Sequence, residues 1–410
     1  MARNASAEIR RRPKDRKAQI ARAAAEAFSE LGYHGVSMEA IAARVDISAA
    51  ALYRHYAGKY ELFRGAVLGL GRQLVDGTDG IDGTADEDPR QQFDVLVGAL
   101  VDVALANRTS GGLYRWEGRY LDDADQAELL AQIGAVHDRL HRPLARLRPG
   151  LTRRQYLTLS TAVLSVVGSI VDHRVKLPAA SVRELLIELA GAVAAVELPG
   201  EPARAESPAA SPAPAPDPST YEALLRESLI LFHRHGYRDT SMEDIAAAVG
   251  IPASGIYKYF SGKADILAAV FRRASDRVSG GLAAVVASAA DPHEALSGVI
   301  DSYVARTFDQ PELEYVYYTE RLNMSAADQR IVHDLQRSVV ESWVELVVGV
   351  RPQWSREQAR FAVHAAMALV IDLGRLQRYP NTEQARAVVR RLVEAVLLGD
   401  YRLRATFTPM

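Results

Sequence analysis

The chain repeats itself. When the 410-residue sequence is shifted by 204 positions, residues 28–59 align with residues 232–263 without a gap, and 15 of these 32 positions are identical. Farther along, a shift of 203 pairs Ala-Asp-Gln at 124–126 with Ala-Asp-Gln at 327–329. A repeated sequence indicates a repeated domain with a similar core. A chain of this length also favours more than one domain. We therefore predict two similar halves.

A segment of different composition joins the two copies. Residues 198–219, LPGEPARAESPAASPAPAPDPS, are rich in proline, alanine and serine and offer almost nothing to a hydrophobic core. Alternating Ala-Pro favours polyproline II, which rises about 3.1 Å per residue, so about twenty residues could span roughly 60 Å. We expect a linker here.

Both halves show the periodicity of helices. Apolar residues recur at Ile20, Ala24, Phe28 and Leu31, and no run of β-branched residues lies between tight turns. The fold class is therefore predicted to be all-α. The absence of cysteine excludes disulfides, thiolate metal sites and cysteine nucleophiles. Because no stretch is apolar enough for a membrane span and no signal peptide is recognised, we expect a cytoplasmic protein without a membrane partner.

A helix-turn-helix is predicted near the start of each half. Ser37 and Ser241 stand as N-caps before a short helix, and a three-residue break follows it. The second helix, which enters the DNA major groove in such motifs, would cover residues 48–56 and 252–260. The first residues of this second helix are small, so its backbone can approach the edges of the bases. Larger side chains that can donate hydrogen bonds to DNA come directly after them in the sequence. The residues predicted to contact double-stranded DNA are Ser37, Ser48, Ala49, Tyr53, Arg54, His55 and Lys59 in the first half and Ser241, Ala253, Ser254, Tyr257, Lys258, Tyr259 and Lys263 in the second.

A lysine opens the helix after each motif. The helix dipole opposes a positive side chain in the first turn, so Lys59 and Lys263 call for a partner, which we expect to be a DNA phosphate. Residues 1–64 hold twelve Lys/Arg against seven Asp/Glu, whereas residues 219–273 hold seven against six. Much of the excess belongs to a basic arm, in which Arg11 and Arg12 are predicted to follow the DNA backbone or enter the minor groove.

These motifs resemble one family. The pattern G-Y-x-x-x-S-M-E-x-I-A at residues 32–42 and the block LYRHYAGK at residues 52–59 are similar to the DNA-binding domain of TetR-family transcriptional regulators, and residues 236–263 repeat the match. The tandem arrangement is similar to actinobacterial double-TetR regulators of lipid uptake and metabolism. Asp46 replaces the glycine usual in the family's turn, but Asp tolerates left-handed φ, so we expect the turn to survive. Pro252 is expected at the first helical position, where it suits the helix but supplies no side-chain cap.

The resemblance implies a domain order. Each DNA-binding head would precede an all-helical ligand-binding and dimerisation domain, and the last two helices of the two halves would pair as a four-helix bundle. The chain would act as a monomeric pseudo-dimer, or as a homodimer of such chains. The expected order is a basic arm at 1–17, a first head at 18–64, a regulatory domain at 65–197, the linker at 198–219, a second head at 220–271, a second regulatory domain at 272–400 and a tail at 401–410.

The function implied is that of a ligand-responsive repressor, with no enzyme activity and no cofactor. The two recognition helices differ at nearly every base-facing position, such as His55 against Tyr259, so we expect an asymmetric operator. The effector would be an apolar small molecule such as a lipid, an acyl-CoA or a sterol-like compound. Aromatic residues could line its pocket or could be ordinary core. They are Tyr114, Trp116 and Tyr120 in the first half and Tyr315, Tyr318 and Trp343 in the second.

Other residues suggest two alternatives. His137 and His141 lie four residues apart, which can suit a metal ion, but the glutamate that zincins place after the first histidine is absent, so we predict no metal site. The second alternative is a small-molecule sensor or architectural module in which only the first head binds DNA, as the weak charge of residues 219–273 would suggest. The sequence leaves open the choice between repressor and activator, the effector and the operator.

Overall fold

The computed structural model describes residues 13–81, 88–199 and 219–399. Within these ranges every regular element is a helix, which confirms the all-α prediction. In the first half the helices are α1 (Pro13–Gly35), α2 (Met38–Arg44), α3 (Ala49–Tyr53), α4 (Lys59–Gly77), α5 (Pro89–Ala106), α6 (Gly112–Trp116), α7 (Asp123–Leu147), α8 (Arg153–Gly168) and α9 (Ala179–Ala195). In the second half they are α10 (Thr220–His235), α11 (Met242–Val249), α12 (Ala253–Ile256), α13 (Lys263–Ser288), α14 (Pro292–Asp309), α15 (Pro311–Glu320), α16 (Ala326–Val350), α17 (Arg356–Gln377) and α18 (Glu383–Leu397). Short 3₁₀ segments occur at Gly118–Tyr120, Ser169–Val171 and Arg321–Asn323. None of these described helices combines the length and the apolar composition that a membrane crossing needs.

The helices repeat as the sequence does. The helices α5 and α14 have the same length and start 203 residues apart, and α7 and α16 do the same. The starts of α8 and α17 also keep this spacing, and both carry a capping box, formed by Thr152 with Gln155 and by Ser355 with Gln358. Positions 203 residues apart therefore occupy the same place in the two halves throughout these helices.

The first head packs with a later part of its own half. The described residues up to Gly77 form one compact unit with residues 107–136. Phe28, Leu52 and Phe63 are almost completely buried in its core, and Leu113 contributes from the later segment. Full burial of each such side chain stabilises the fold by about 1.5–3 kcal/mol. Apolar packing thus joins the head to α6 and the start of α7.

The other described residues form a second compact unit, in which the two halves meet. There α8 and α9 of the first half pack against α17 and α18 of the second. Leu159 and Val163 of α8 are fully buried, as is Leu369 of α17, and the Ser165 hydroxyl of α8 donates a hydrogen bond of 2.7 Å to Asp372 of α17. Both pairs of helices in this bundle come from one chain, which is the packing that an intramolecular pseudo-dimer requires.

Small side chains allow α17 to pack closely on its neighbours. Five of its alanines are buried, and α17 contacts both α8 and α18. Their short side chains let helix axes approach and leave little room for larger groups. These residues are Ala359, Ala362, Ala365, Ala366 and Ala368.

The second head belongs to the second unit and has its own core. Phe232 and Ile256 are among its buried residues, together with Ile266 from α13. Val316 of α15 and Val332 of α16 belong to the same cluster. The second head is therefore joined to its regulatory helices in the same manner as the first.

A carboxylate joins α16 to α17 through two arginines. Glu341 accepts hydrogen bonds from Arg360 Nε at 2.6 Å and from Arg356 at 3.0 Å. These bonds hold the pKa of the Glu341 carboxyl at about 2, below its ordinary value of 4.5. A folded-state pKa below the unfolded value means that the interaction stabilises the fold above pH 4.5 and is lost as the pH falls toward 2.

Replacing Glu341 with glutamine should therefore destabilise the chain at neutral pH. We expect Glu341→Gln to lower the free energy of unfolding by about 1 kcal/mol at pH 7, because solvent screens this partly exposed site. The difference should shrink steadily between pH 4.5 and pH 2, as urea unfolding followed by circular dichroism would show. Glu345→Gln is the matched control, since Glu345 is more exposed and pairs with Arg356. Equal losses for the two variants at pH 7 would contradict the prediction.

Candidate nucleic-acid interface

Side-chain caps fix both helices of the motif in the first head. The Ser37 hydroxyl accepts a hydrogen bond of 3.1 Å from the Ala40 N–H, and the Ser48 hydroxyl accepts one of 3.1 Å from the Ala51 N–H. Asp46, in the turn between them, has a φ of 52°. The predicted N-cap at Ser37 and the left-handed turn at Asp46 are thus confirmed, although the usual glycine is absent.

The second head uses a fuller cap on its first helix and none on its second. The Asp244 N–H donates to the Ser241 hydroxyl, and Asp244 Oδ2 accepts from the Ser241 N–H at 2.8 Å. Hydrogen bonds from Ser241 hold the pKa of the Asp244 carboxyl below its usual range. Gly250 supplies the left-handed turn, with a φ of 74°. Pro252 is the N-cap of α12, so our prediction that it would be the first helical residue is wrong. As expected, its side chain makes no capping hydrogen bond.

Both recognition helices are shorter than the residues 48–56 and 252–260 that the sequence predicted. The α3 helix has five residues and α12 has four. A turn follows each of these helices. In it the His55 N–H donates to the Leu52 carbonyl at 2.9 Å, and the Tyr259 N–H donates to the Ile256 carbonyl at 3.0 Å. Bonds to the third residue back are those of 3₁₀ geometry. Each recognition helix therefore ends in a tight turn that presents the larger side chains.

The predicted DNA-facing residues divide into exposed and half-buried sets. Those on the surface are Ser37, Ser48, Tyr53, Arg54 and His55 in the first head and Ala253, Ser254, Tyr257, Lys258 and Tyr259 in the second. Half-buried are Ala49, Lys59, Ser241 and Lys263. Tyr53 and Tyr257 are 51% and 54% exposed, while Leu52 and Ile256 beside them are fully buried. The buried neighbours anchor each turn, so its tyrosine is presented outward from a fixed position.

Lys263 has an internal partner where we expected a phosphate. Its ammonium donates to the carbonyl oxygens of Tyr237, Arg238 and Thr240 at 2.7, 3.1 and 2.6 Å. Three acceptors use all three protons of an ammonium group. Burial lowers the pKa of the Lys263 amine, and the charge of Asp239 opposes this. The carbonyls explain why a lysine is favoured at this helix start, so our argument that the helix dipole calls for a phosphate there does not hold.

In each half a buried glutamate lies near the tyrosine and the lysine of the head, where the head meets its regulatory helices. The sequence analysis missed these two glutamates. The Tyr33 N–H donates to Glu117 at 2.9 Å, and the Lys59 ammonium lies 4.6 Å from the centroid of the Tyr33 ring. In the second half, burial and the charge of Glu320 raise the pKa of Tyr237, whose ring lies under the lysine there. Glu117 and Glu320 lie 203 residues apart, and that spacing was the signal that could have identified them.

An aspartate ties each head to its regulatory helices. Asp125 of α7 accepts hydrogen bonds from Tyr60 and Arg64 of α4. Burial acts to raise the pKa of Asp125, but these two bonds outweigh it and leave that pKa lowered. At the same position of the second half, Asp328 accepts from Arg272 of α13 at 2.9 Å. This contact accounts for the aspartate of the Ala-Asp-Gln repeat that the sequence shift revealed.

The aromatic residues predicted to line an effector pocket occupy two kinds of place. Tyr120 stacks on Tyr33 with ring centroids 5.3 Å apart, and Tyr315 meets the His233 ring edge-on at 4.9 Å. Trp343 is only 1% exposed. Trp116 is also buried, whereas Tyr114 and Tyr318 are half-buried. Some of these rings thus pack directly against the heads, and their effector role stays a prediction.

Two further sequence interpretations concern other parts of the chain. His137 Nδ1 lies 2.8 Å from the Ser160 hydroxyl, burial lowers the pKa of His137, and the His141 ring packs against Tyr156. In the described ranges, no group of three or more histidine and acidic side chains is arranged to hold a metal ion. Arg11 and Arg12 of the predicted arm, most of the linker and the predicted tail lie outside the described residues, and α1 begins at Pro13.

Comparison with known proteins matches both heads to one family and to curated regulators. Residues 20–66 and 224–270 each match the family model of bacterial regulatory proteins, tetR family. Over 94 residues the chain is 36% identical to the HTH-type transcriptional activator FasR of Mycolicibacterium smegmatis, covering 22% of this chain and 42% of FasR. Over 148 residues it is 28% identical to an uncharacterized HTH-type transcriptional regulator of Mycobacterium tuberculosis, covering 31% and 62%. The chain thus spans less than two thirds of the length of these relatives.

Three solved structures that are similar to this chain each cover less than half of it. The ketosteroid transcriptional regulator KstR2 of Mycobacterium tuberculosis superposes with a TM-score of 0.39 at 20% identity, over 45% of this chain and 96% of that one. The fatty acid degradation regulator FadR from Bacillus halodurans gives 0.38 at 19% identity, over 46% and 99%. AibR, solved in complex with isovaleryl coenzyme A and operator DNA, gives 0.36 at 19% identity, over 42% and 97%.

Proposed function

We propose that this chain, in which the domain of bacterial regulatory proteins of the tetR family occurs twice, is a DNA-binding transcriptional regulator. The observation that supports this most directly is the pair of exposed turns, Tyr53-Arg54-His55 and Tyr257-Lys258-Tyr259. Hydroxyl, guanidinium, imidazole and ammonium groups at such positions suit phosphate and base-edge contacts. We propose that the regulator represses transcription, and a promoter–reporter assay with and without the chain tests this. FasR is named an activator, so increased reporter output would assign that direction instead.

An asymmetric operator follows from the difference between the two exposed turns. Where the first head presents Arg54 and His55, the second presents Lys258 and Tyr259. A bidentate guanidinium and an ammonium recognise different base edges, and an imidazole differs from a phenol in both size and donors. A homodimer presents identical helices and selects a palindrome, whereas two unlike heads in one chain select two unlike half-sites.

Symmetrised DNA should bind more weakly than the native site. After footprinting locates the native operator, two duplexes are made, each of which doubles one half-site. We expect each to bind about tenfold or more weakly, because every mismatched base pair costs about 1–3 kcal/mol. Fluorescence anisotropy at one fixed salt concentration measures this, with a scrambled duplex of equal length and composition as the control. Affinity for either symmetrised site equal to or above that for the native site refutes the asymmetric operator.

The bundle of α8, α9, α17 and α18 supports a monomer that acts as a pseudo-dimer. Its four helices come from one chain, so no second chain is needed to bring two heads together. We propose the domain order stated above, with the predicted arm, including Arg11 and Arg12, on the DNA backbone, and a cytoplasmic location. Light scattering of the chain free and on the operator distinguishes one chain per site from two.

An effector-responsive regulatory part completes the proposal. Residues that follow α5 pack against the first head, and α15 packs against the second, so a molecule bound among regulatory helices can bias the heads. It does so only if its affinity differs between the DNA-bound and free states. We propose an apolar effector of the lipid, acyl-CoA or sterol-like type, among the aromatic residues named above. A thermal-shift screen with these compounds in which no melting temperature changes would count against it.

A second function is favoured by the weaker features of the second head. Its recognition helix has four residues and no side-chain cap at Pro252, and its local charge excess is small. On this alternative, only the first head contacts DNA and the second half acts as a sensor or a scaffold. Arg54→Ala and Lys258→Ala are the matched pair of variants. Equal losses of operator affinity favour two working heads, and a loss confined to Arg54→Ala favours the alternative.

A further inference from the structure

Polar side chains are buried in the second half, between α14 and α15. The Tyr303 hydroxyl donates a long hydrogen bond of 3.5 Å to Glu314 Oε1. One helical turn after Tyr303, the Thr307 hydroxyl is buried and has no hydrogen-bond partner among the described residues. Thr307 is 2% exposed, and leaving such a group unpaired costs about 1–3 kcal/mol. The cluster therefore has hydrogen-bonding capacity that the fold itself does not use.

Glu314 adds a desolvated carboxyl group to this cluster. Burial raises the pKa of the Glu314 carboxyl, and the positive charge of Arg306 opposes that effect. The Arg306 guanidinium, however, lies over the Tyr303 ring, 5.3 Å from its centroid. Glu314 is half-buried, so its carboxyl is removed from bulk water while part of its side chain stays accessible. The long bond from Tyr303 is the hydrogen bond that the described residues give to this carboxyl group.

Two aromatic contacts involve Tyr303 and the residue that follows Thr307. Trp343 of α16 meets the Tyr303 ring edge-on with centroids 5.5 Å apart. Phe308 of α14 meets the Tyr379 ring in the same way at 5.5 Å, and burial raises the pKa of Tyr379 well above its ordinary value. A carboxyl and a hydroxyl within an aromatic wall match the usual composition of a small-molecule site, which is mostly apolar with a few convergent polar groups.

The first half has lost every polar member of this cluster. At the positions 203 residues earlier, Leu100 replaces Tyr303, Ala104 replaces Thr307 and Gly111 replaces Glu314, while Leu140 replaces Trp343. The helices α5 and α14 share length and register, as do α7 and α16, so the positions on these helices correspond structurally. Gly111, in contrast, precedes α6, whereas Glu314 lies within α15. The polar cluster is thus confined to the second half. Its confinement to the second half indicates a task specific to that half.

We propose that Tyr303, Thr307 and Glu314 bind an apolar molecule through a polar end that donates hydrogen bonds, either a hydroxyl or an ammonium group, and that the first half has no equivalent site. This inference rests on the proposed effector-responsive function and narrows it. A carboxylate or a phosphate would meet the Glu314 carboxylate at close range, where like charges repel strongly. Free fatty acids and acyl-CoAs are therefore disfavoured as ligands of this cluster, and apolar alcohols and amines are favoured.

The test uses three probes with the same apolar chain and different polar ends. Octan-1-ol, octan-1-amine and octanoate are titrated into the full-length chain below their micelle concentrations, with the melting temperature and tryptophan fluorescence as readouts. Trp343, one of three tryptophans, contacts Tyr303 and should report occupancy. We expect the alcohol or the amine to bind at least about tenfold more tightly than octanoate. Comparison of those two arms shows which donor the site prefers.

Variants separate this site from unspecific apolar binding. Glu314→Gln keeps the side-chain size, and Thr307→Val replaces the unpaired hydroxyl with a methyl group of similar volume. Each should weaken the preferred probe by about tenfold, whereas Glu312→Gln, on the same helix, should leave it unchanged. Octanoate binding as tightly as the other probes, equal binding by wild type and Glu314→Gln, or no probe binding at its solubility limit would each overturn the inference. Operator binding is measured on the same samples, so failure of the regulator proposal is seen separately.

Discussion

Replacing Lys263 with methionine is expected to destabilise the second head by about 2 kcal/mol without removing a DNA contact. The variant leaves the carbonyl oxygens of Tyr237, Arg238 and Thr240 without the ammonium that now bonds to all three. Methionine keeps a flexible apolar stem over the Tyr237 ring, so the loss reports the hydrogen bonds rather than a cavity. Amide hydrogen exchange localises the effect, which should appear as faster exchange in residues 237–246.

The matched control is Lys258→Met, a change of the same type in the same head. Lys258 is exposed on the recognition turn, so this variant should leave hydrogen exchange unchanged. Loss of one phosphate contact should instead weaken operator binding by about threefold to tenfold and reduce the salt slope by about 1. The two lysines should therefore show opposite patterns. If Lys263→Met reduced the salt slope with normal exchange, the lysine would be a phosphate ligand and its internal contacts would be secondary.

Features set by short-range interactions could be predicted from the sequence. A serine before a helix caps it through a backbone N–H three residues on, and both Ser37 and Ser241 do so. The left-handed turn at Asp46 follows from the conformational tolerance of one residue type. The pairing of the halves followed from internal repetition and the family resemblance, because equal halves with exposed apolar helices can bury them against each other.

Contacts between distant residues could not be predicted in this way. Lys263 looked misplaced because its carbonyl partners belong to a turn more than twenty residues earlier. The local sequence around Glu117 and Glu320 gives no sign that both are buried at the junction of head and regulatory helices. The lengths of α3 and α12 were overestimated because apolar periodicity continues through a 3₁₀ turn, where the side chains stay close to their helical positions. Tertiary packing decides all of these features.

The bundle between the halves is the place where a single substitution should have the largest effect. Ala365 of α17 is completely buried, and Ala162, 203 residues earlier in α8, is completely buried as well. The same small residue thus occupies the same position in both halves of the pseudo-dimer. An arginine there would bury an unpaired charge, which costs about 3–5 kcal/mol, and would overpack helices in close contact.

We therefore expect Ala365→Arg to unfold the bundle or to lower its free energy of unfolding by at least about 4 kcal/mol. Because packing of α8 and α9 on α17 and α18 joins the halves, operator affinity should fall by about 100-fold toward that of a single head. Urea unfolding and anisotropy with the native operator measure the two effects. Leu376→Arg is the control on the same helix, since Leu376 is 37% exposed and can keep a guanidinium in solvent. A chain with Ala365→Arg that unfolds normally and binds the operator with unchanged affinity would show that the halves act together without this bundle, and the pseudo-dimer would then not be the basis of operator recognition.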